Sequence, residues 1–354
     1  MKADYGFVDR LLHRVALGGP AAAESFHEIE RRRYLKDAPE DRGGHVFVTG
    51  LARAGTTILL REIYASGEFG SLRYADMPFV LAPNLWASVS TGARKSFAPV
   101  ERAHGDGIAV NLDSPEAFDE VFWRIFHGKS YIRPDGLLPH RPGAEAIARY
   151  RQFIRLVLRR TGKRRYLAKG NNNILRLGAL AGAMPDCTFL LVIRSPLAHA
   201  ASLLRQHRRS AHNSDSFRRH YVTWLGHHEF GTDHRPFRFA GCPNGNPDDL
   251  DYWLGTWVAC YAALKPAVEG NPNILVVPYE RLCSDPMTWA ALCTRIGIDA
   301  ADRHEIRPAA GAPPEPHDRA LAAAAEELHA WYVECAGAWI DSEKPEQADF
   351  VTSR

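Results

Sequence analysis

A three-layer α/β domain built on a mainly parallel central sheet is the fold class that the sequence predicts, and three observations carry it. Residues 45 to 60 read as strand, tight loop and helix. Val46, Phe47 and Val48 run into Gly50, and after Gly55 the apolar residues Ile58, Leu59, Leu60 and Ile63 fall at helical spacing. Thr188 to Ile193 is an unbroken apolar run of strand length, as parallel strands buried on both faces require, and a helical pattern follows Pro196. The chain has 354 residues, 45% of them apolar and 24% charged, enough to bury one large core. A single domain over residues 1–354 is expected.

The formal charge of +3 is too small to imply a nucleic-acid partner, and it suits a locally bound anion. The six cysteines lie scattered without a C-x-x-C pair, so neither a disulfide framework nor a zinc site is indicated and no metal is expected. Met1 to Arg10 lacks the apolar stretch of a signal peptide, and no run approaches the roughly 20 apolar residues of a spanning helix, so a cytoplasmic location without a membrane span is expected.

Taken in order, residues 6 to 40 read as helical, with Phe7, Leu11, Leu12 and Val15 on one face and Arg31, Arg32 and Arg33 on a solvated one. Residues 65 to 115 are rich in Gly, Pro, Ser and Asn and read as loops and short helices over the sheet edge, with Asp76 among them. Helices are expected over 116–132 and 143–161, the second with a basic C-terminal turn. Tyr166 to Ala168 reads as a short buried strand, Lys169 to Asn173 as a turn, and Ile174 to Met184 as a helix stopped by Pro185. Residues 207–250 hold six histidines and a Gly/Pro/Asn-rich stretch, read as solvated loop histidines rather than a metal site. Tyr252 to Leu264 is an aromatic helix expected in the core, and residues 301–340 are a linker followed by a C-terminal helix.

The loop from Gly50 to Thr57 carries the chemistry. Such a loop points consecutive backbone N–H groups and a positive helix end at one spot, where an anion is stabilised. Gly50 and Gly55 let the backbone close on it, and Thr56 and Thr57 add hydroxyls. A nucleotide-hydrolysing loop reads G-x-x-x-x-G-K-S/T, but Thr56 stands where that Lys would be and the cation lies inside the loop at Arg53. After the run Thr188 to Ile193, Arg194 and Ser202 lie eight residues apart and fall on the same sheet edge, a pair suited to a second phosphate.

These blocks resemble the sulfotransferases that use PAPS (3′-phosphoadenylyl sulfate). Gly50 to Thr57 is similar to their 5′-phosphosulfate loop, G-x-P-R/K-S-G-T-S/T, with Ala52 and Ala54 in place of Pro and Ser. Arg194 and Ser202 match the family's 3′-phosphate site, with Ser195 in place of its usual Asp. Tyr166 to Leu177 resembles the Lys-x-Pro/His segment, and Ile274 to Leu282 with Asp285-Pro286 resembles the Tyr-Glu-Asp-Leu strand end and its Asp-Pro turn. The resemblance spans about residues 44–298 in four blocks in the family's order, and implies 207–250 as a substrate-side lid.

The resemblance implies transfer of a sulfuryl group from PAPS to an acceptor hydroxyl or amine on a small molecule, glycan, lipid or peptide, releasing PAP without a metal. Arg53, Ala54, Gly55, Thr56 and Thr57 would hold the 5′-phosphosulfate, with Arg53 and Lys169 acting on the transferred group, while Arg194 and Ser202 would hold the 3′-phosphate. The position of the cytosolic members' basic His is Asn171, which accepts no proton at neutral pH. A branch of the family with Arg in the loop uses a carboxylate from the segment just after the first helix. The resemblance implies Asp76, at a similar offset from Arg53, as the base, with Asp119, Glu120 and the lid histidines as fallbacks. An ATP-dependent small-molecule or nucleotide kinase and a non-catalytic nucleotide-binding relative are the competing readings. The missing Lys at position 56 weighs against the kinase.

Overall fold

The computed structural model describes residues 7–90, 100–101, 109–212, 216–300, 306–308 and 316–343. Residues 91–99 and 102–108 of the expected cover, 213–215 of the expected lid, 301–305 and 309–315 of the expected linker, and the tail beyond 343 lie outside the described residues.

The central sheet has five strands: β1 (Val46–Thr49), β2 (Phe69–Gly70), β3 (Arg165–Lys169), β4 (Thr188–Ile193) and β5 (Ile274–Pro278). They lie in the order β2-β3-β1-β4-β5, and every neighbouring pair is parallel. β1 therefore sits at the point where the strand order reverses, the place where open α/β sheets leave a crevice beyond their carboxyl ends. β2 was not foreseen, because two residues at a sheet edge are too short to show a period.

Alternate residues of the strands feed two cores. Phe47, Phe189, Leu191 and Val276 point into one, and Val46, Val48, Leu190, Val192 and Val277 into the other. The N-terminal helices are α1 (Phe7–Leu17), α2 (Pro20–Tyr34), α3 (Thr56–Ala65), α4 (Pro83–Ser90), α5 (Glu120–Tyr131), α6 (Ala144–Thr161) and α7 (Leu177–Ala183). They are followed by α8 (Pro196–Ala211), α9 (Ser216–Trp224), α10 (Leu250–Gly270), α11 (Tyr279–Ser284), α12 (Pro286–Ile296) and α13 (Arg319–Ser342). Leu59, Leu60 and Ile63 of α3 and Leu292 and Ile296 of α12 cover one face. The larger core lies on the other, where α6, α8, α10 and α13 contribute Phe153, Leu204, Trp257 and Tyr332. This is the expected three-layer arrangement.

Local chemistry explains the boundaries. α6 ends at Gly162, whose φ of +69° favours glycine and whose N–H bonds the Leu158 carbonyl. The helix expected from Ile174 is preceded instead by a 3-10 turn over Asn171–Leu175, whose Asn side chains bond Thr56, Glu229, the Gly226 carbonyl and Arg176. Trp253, Trp257 and Tyr261 of α10 are buried as expected. Among the described residues no helix is long and apolar enough to cross a membrane.

The histidines of 207–250 correct the expectation of solvated loops in part, since His212 and His220 are exposed and the others are not. His207 and His228 are buried, and the rings of His207 and His234 pack on Trp253. His234 also meets the Tyr252 hydroxyl at 2.7 Å. Burial pushes His228 and His234 down to about 4, so both are neutral packing groups at ordinary pH.

Candidate active site

The loop between β1 and α3 is held in a shape that few residues tolerate. Gly50 has φ +140°, and a Cβ there would stand 2.4 Å from the Val192 carbonyl oxygen of β4. Gly55 has φ +102°, and a Cβ would stand 2.3 Å from the Tyr279 ring. Arg53 itself adopts φ +71°, the one described non-glycine residue in the left-handed region. Strain of this kind persists only where the surroundings impose it.

Three buried groups impose it here. His199 of α8 contacts the Ala52 carbonyl through Nε2 at 2.7 Å. Burial, with the Arg194 and Arg53 charges adding to it, pushes His199 down to about 3, so the ring is neutral and donates to that carbonyl. The Arg194 guanidinium, at the end of β4, donates to the Arg53 carbonyl at 3.3 Å. The Tyr261 hydroxyl accepts from the Leu51 N–H at 3.4 Å and donates to the Val192 carbonyl at 3.1 Å. His199 was missed in the sequence, although it lies three residues before Ser202 and so on the same helical face.

The anion-binding candidates converge on this loop. Arg53 Nε stands 3.5 Å from Ser202 Oγ, which brings the loop cation onto the helix that follows Arg194. Thr56 and Thr57 open α3 behind Gly55, which contributes no side chain to cap the first turn. Burial lowers the Arg194 pKa, yet the group keeps its charge, and the Glu280 carboxylate lies 3.9 Å away. Glu280 also accepts the Ser195 N–H at 3.0 Å, at the position of the family's Asp.

Lys169 ends β3 directly beside β1, in register with Val48, and is buried. Thr49 Oγ1 donates to the Gly170 carbonyl at 2.8 Å, fixing the turn after Lys169 to the start of the loop. From there a chain of side chains leaves the loop. Thr56 Oγ1 donates to Asn171 Oδ1 at 3.3 Å, Asn171 Nδ2 donates to Glu229 Oε1 at 3.1 Å, and Glu229 faces His227 Nδ1 at 3.5 Å. Sequence reasoning named Asn171 only for the proton it cannot accept and passed over Glu229, since contact across 58 residues has no signature in a single sequence.

The carboxylates proposed from the sequence have other partners. Asp76 is fully buried, accepts the Arg73 N–H at 2.9 Å, and faces the guanidiniums of Arg160 at 3.3 Å and Arg73 at 4.0 Å. Asp119 receives the hydroxyls of Tyr150 and Tyr166, and burial raises it to about 6. Glu120 holds Arg176 and Tyr131 in the core. Among the described residues no group of three or more His, Cys, Asp or Glu side chains is placed to hold a metal ion.

The family whose description is "Sulfotransferase family" matches residues 45–302. Sulfotransferase STF1 from Mycobacterium tuberculosis H37Rv is similar at 17% identity and a TM-score of 0.48, over 96% of this chain and 88% of that one. Sulfotransferase STF9 from Mycobacterium avium is similar at 12% identity and a TM-score of 0.45, over 96% and 86%. A sulfotransferase from Alicyclobacillus acidocaldarius follows at 15% identity and a TM-score of 0.38, over 84% and 95%. No curated protein matches the chain. The structural likenesses are too slight to carry an argument, whereas the family match covers well over half of the sequence and includes every element of the loop and its flanking strands. This chain belongs to the sulfotransferase family.

Proposed function

We propose that the protein transfers a sulfuryl group from PAPS to an acceptor hydroxyl or amine, releasing PAP. The observation that carries the reading is the juxtaposition of two anion-binding elements. The Arg53 side chain reaches Ser202, and the Arg194 side chain reaches the Arg53 backbone, so the loop and α8 form one continuous cationic cradle. A donor with a 5′-phosphosulfate and a 3′-phosphate fits two such elements, and PAPS supplies a sulfuryl group already activated by its phosphate leaving group.

In this reading the N–H groups of Gly55, Thr56 and Thr57 hold the 5′ end. Arg53 stabilises charge as it builds on the bridging oxygen, and Lys169 lies beside the transferred group. Arg194 and Ser202 hold the 3′-phosphate, and segment 207–250 covers the acceptor. Isothermal titration with PAP, ATP and GTP tests it: tight PAP binding without Mg²⁺ is expected, and exclusive binding of Mg-ATP would overturn it.

Arg194→Ala is expected to weaken PAP binding about 30-fold, near 2 kcal/mol for a charge-assisted contact. Binding of adenosine 5′-phosphosulfate, which lacks the 3′-phosphate, should change far less. Equal losses for both ligands would remove the 3′ assignment.

Asp76 would have to surrender Arg160 and Arg73 to take an acceptor proton, so its proposed part is to anchor the segment over the sheet edge. Asp76→Asn removes the buried carboxylate that faces Arg160, while Arg73 keeps Asp113 at 3.1 Å, and should destabilise the fold by about 3 kcal/mol in a denaturant titration. A variant of unchanged stability whose turnover alone collapses would instead make Asp76 the base.

A further inference from the structure

We propose that His227 takes the proton from the acceptor, with Glu229 as the positioning residue behind it. The proposal rests on the sulfuryl-transfer reading above and adds to it the group that accepts the proton.

Position is the first argument. The turn at Gly226 has φ +79°, and a Cβ there would stand 2.7 Å from Glu120, so the chain reverses against the core at a fixed point. Asn172 Nδ2 donates to the Gly226 carbonyl at 2.9 Å, while its neighbour Asn171 reaches the Glu229 carboxylate. Two consecutive residues just after Lys169 therefore grip both ends of the tripeptide His227–Glu229. The Thr56–Asn171–Glu229 chain ties it to the first turn of α3. Glu229 also lines a small pocket together with Leu51 and Ala52 of the loop.

The second argument is the internal geometry of the pair. Glu229 faces Nδ1 of His227, which fixes that nitrogen as the protonated one and leaves the lone pair on Nε2. A carboxylate that orients an imidazole and stabilises its cation is the arrangement by which a His becomes an effective base. Both side chains remain partly accessible, at 14% and 9%, so neither is sealed away from an acceptor.

Electrostatics agree. Burial alone would disfavour the imidazolium, but the Glu229 charge and contact outweigh it and raise the His227 pKa, with Lys169 opposing and Glu116 assisting. Burial would likewise favour a protonated Glu229, yet His227 and the Asn171 amide hold its carboxyl well below the usual range. Glu229 is thus a poor base itself and a permanent counter-charge.

In the step, the proton on the acceptor oxygen or nitrogen passes to Nε2, and the acceptor's electron pair forms the bond to sulfur. The bond from sulfur to the bridging oxygen breaks, and its pair stays on that oxygen facing Arg53. PAP leaves, and His227 later returns its proton to water.

The test measures PAP binding by calorimetry and PAP release from PAPS as a function of pH, with 2-naphthol and with water alone as acceptors. His227→Asn should lower turnover by on the order of 10² or more while PAP affinity stays within about twofold. Wild-type turnover should rise with pH as His227 loses its proton, and in Glu229→Gln that rise should move to lower pH, since the counter-charge is gone. Undiminished turnover in His227→Asn, or a rise that stays in place in Glu229→Gln, overturns the assignment. Failure of the wild-type protein to bind PAP would instead overturn the sulfuryl-transfer reading beneath it.

Discussion

Arg53→Ala is expected to lower turnover of PAPS by on the order of 10²–10³ while weakening PAP binding by less than about tenfold. A cation aimed at the bridging oxygen meets little charge in the ground state and much more as the bond to sulfur breaks. Its removal therefore falls mainly on the rate. The backbone adds a complication, because Arg53 sits at φ +71° and any substitution there also touches the strain of the loop. Arg53→Gly separates the two effects, since glycine keeps the backbone without strain and lacks the cation. Both variants should lose turnover to a similar extent. If the glycine variant kept wild-type turnover, or if affinity and turnover fell by the same factor, Arg53 would not be acting on the leaving oxygen.

How much of this site was legible in the sequence depended on whether its contacts are local. Gly50, Gly55, Thr56 and Thr57 act through a strand–loop–helix whose period changes within 16 residues, and Arg194 and Ser202 through the end of one strand and the helix after it. The continuous apolar run of β4 announced a buried parallel strand, and the order of strands around β1 then placed both loops on one edge. Contacts between distant segments had no such signal. Asp76 was chosen for its spacing from Arg53, but its fate was decided by Arg160 on α6, which sequence spacing cannot bring alongside. The histidines of 207–250 looked like loop residues because Gly, Pro and Asn follow them in the sequence. What sequence could not supply was the aromatic face of α10, on which His207 and His234 pack. The Tyr279 ring, at the end of the strand that resembles the family's Tyr-Glu-Asp-Leu segment, packs against the loop glycine Gly55 itself.

That contact makes Gly55→Ala a damaging small change in the loop. At φ +102° an L-residue is strained whatever space surrounds it, and here a Cβ would also stand 2.3 Å and 2.4 Å from two ring carbons of Tyr279. The ring has little room to withdraw, because its hydroxyl donates to the Arg307 carbonyl at 3.0 Å and its body is buried at the end of β5. The loop must therefore move, carrying Arg53 away from Ser202 and turning the first N–H groups of α3 off their common point. Strain and overlap together cost about 2–4 kcal/mol. Gly55→Ala is accordingly expected to weaken PAP binding by 30-fold or more, on the order of 2 kcal/mol, and to lower thermal stability less than affinity, since the loop can relax toward solvent when no ligand holds it. Tyr279→Leu in the same background removes the clash and leaves the backbone strain, so it should recover part of the lost affinity, read by calorimetry on both variants. If the double variant bound PAP no better than Gly55→Ala, the ring would not be what fixes the loop, and the left-handed backbone at Gly55 would account for the whole loss.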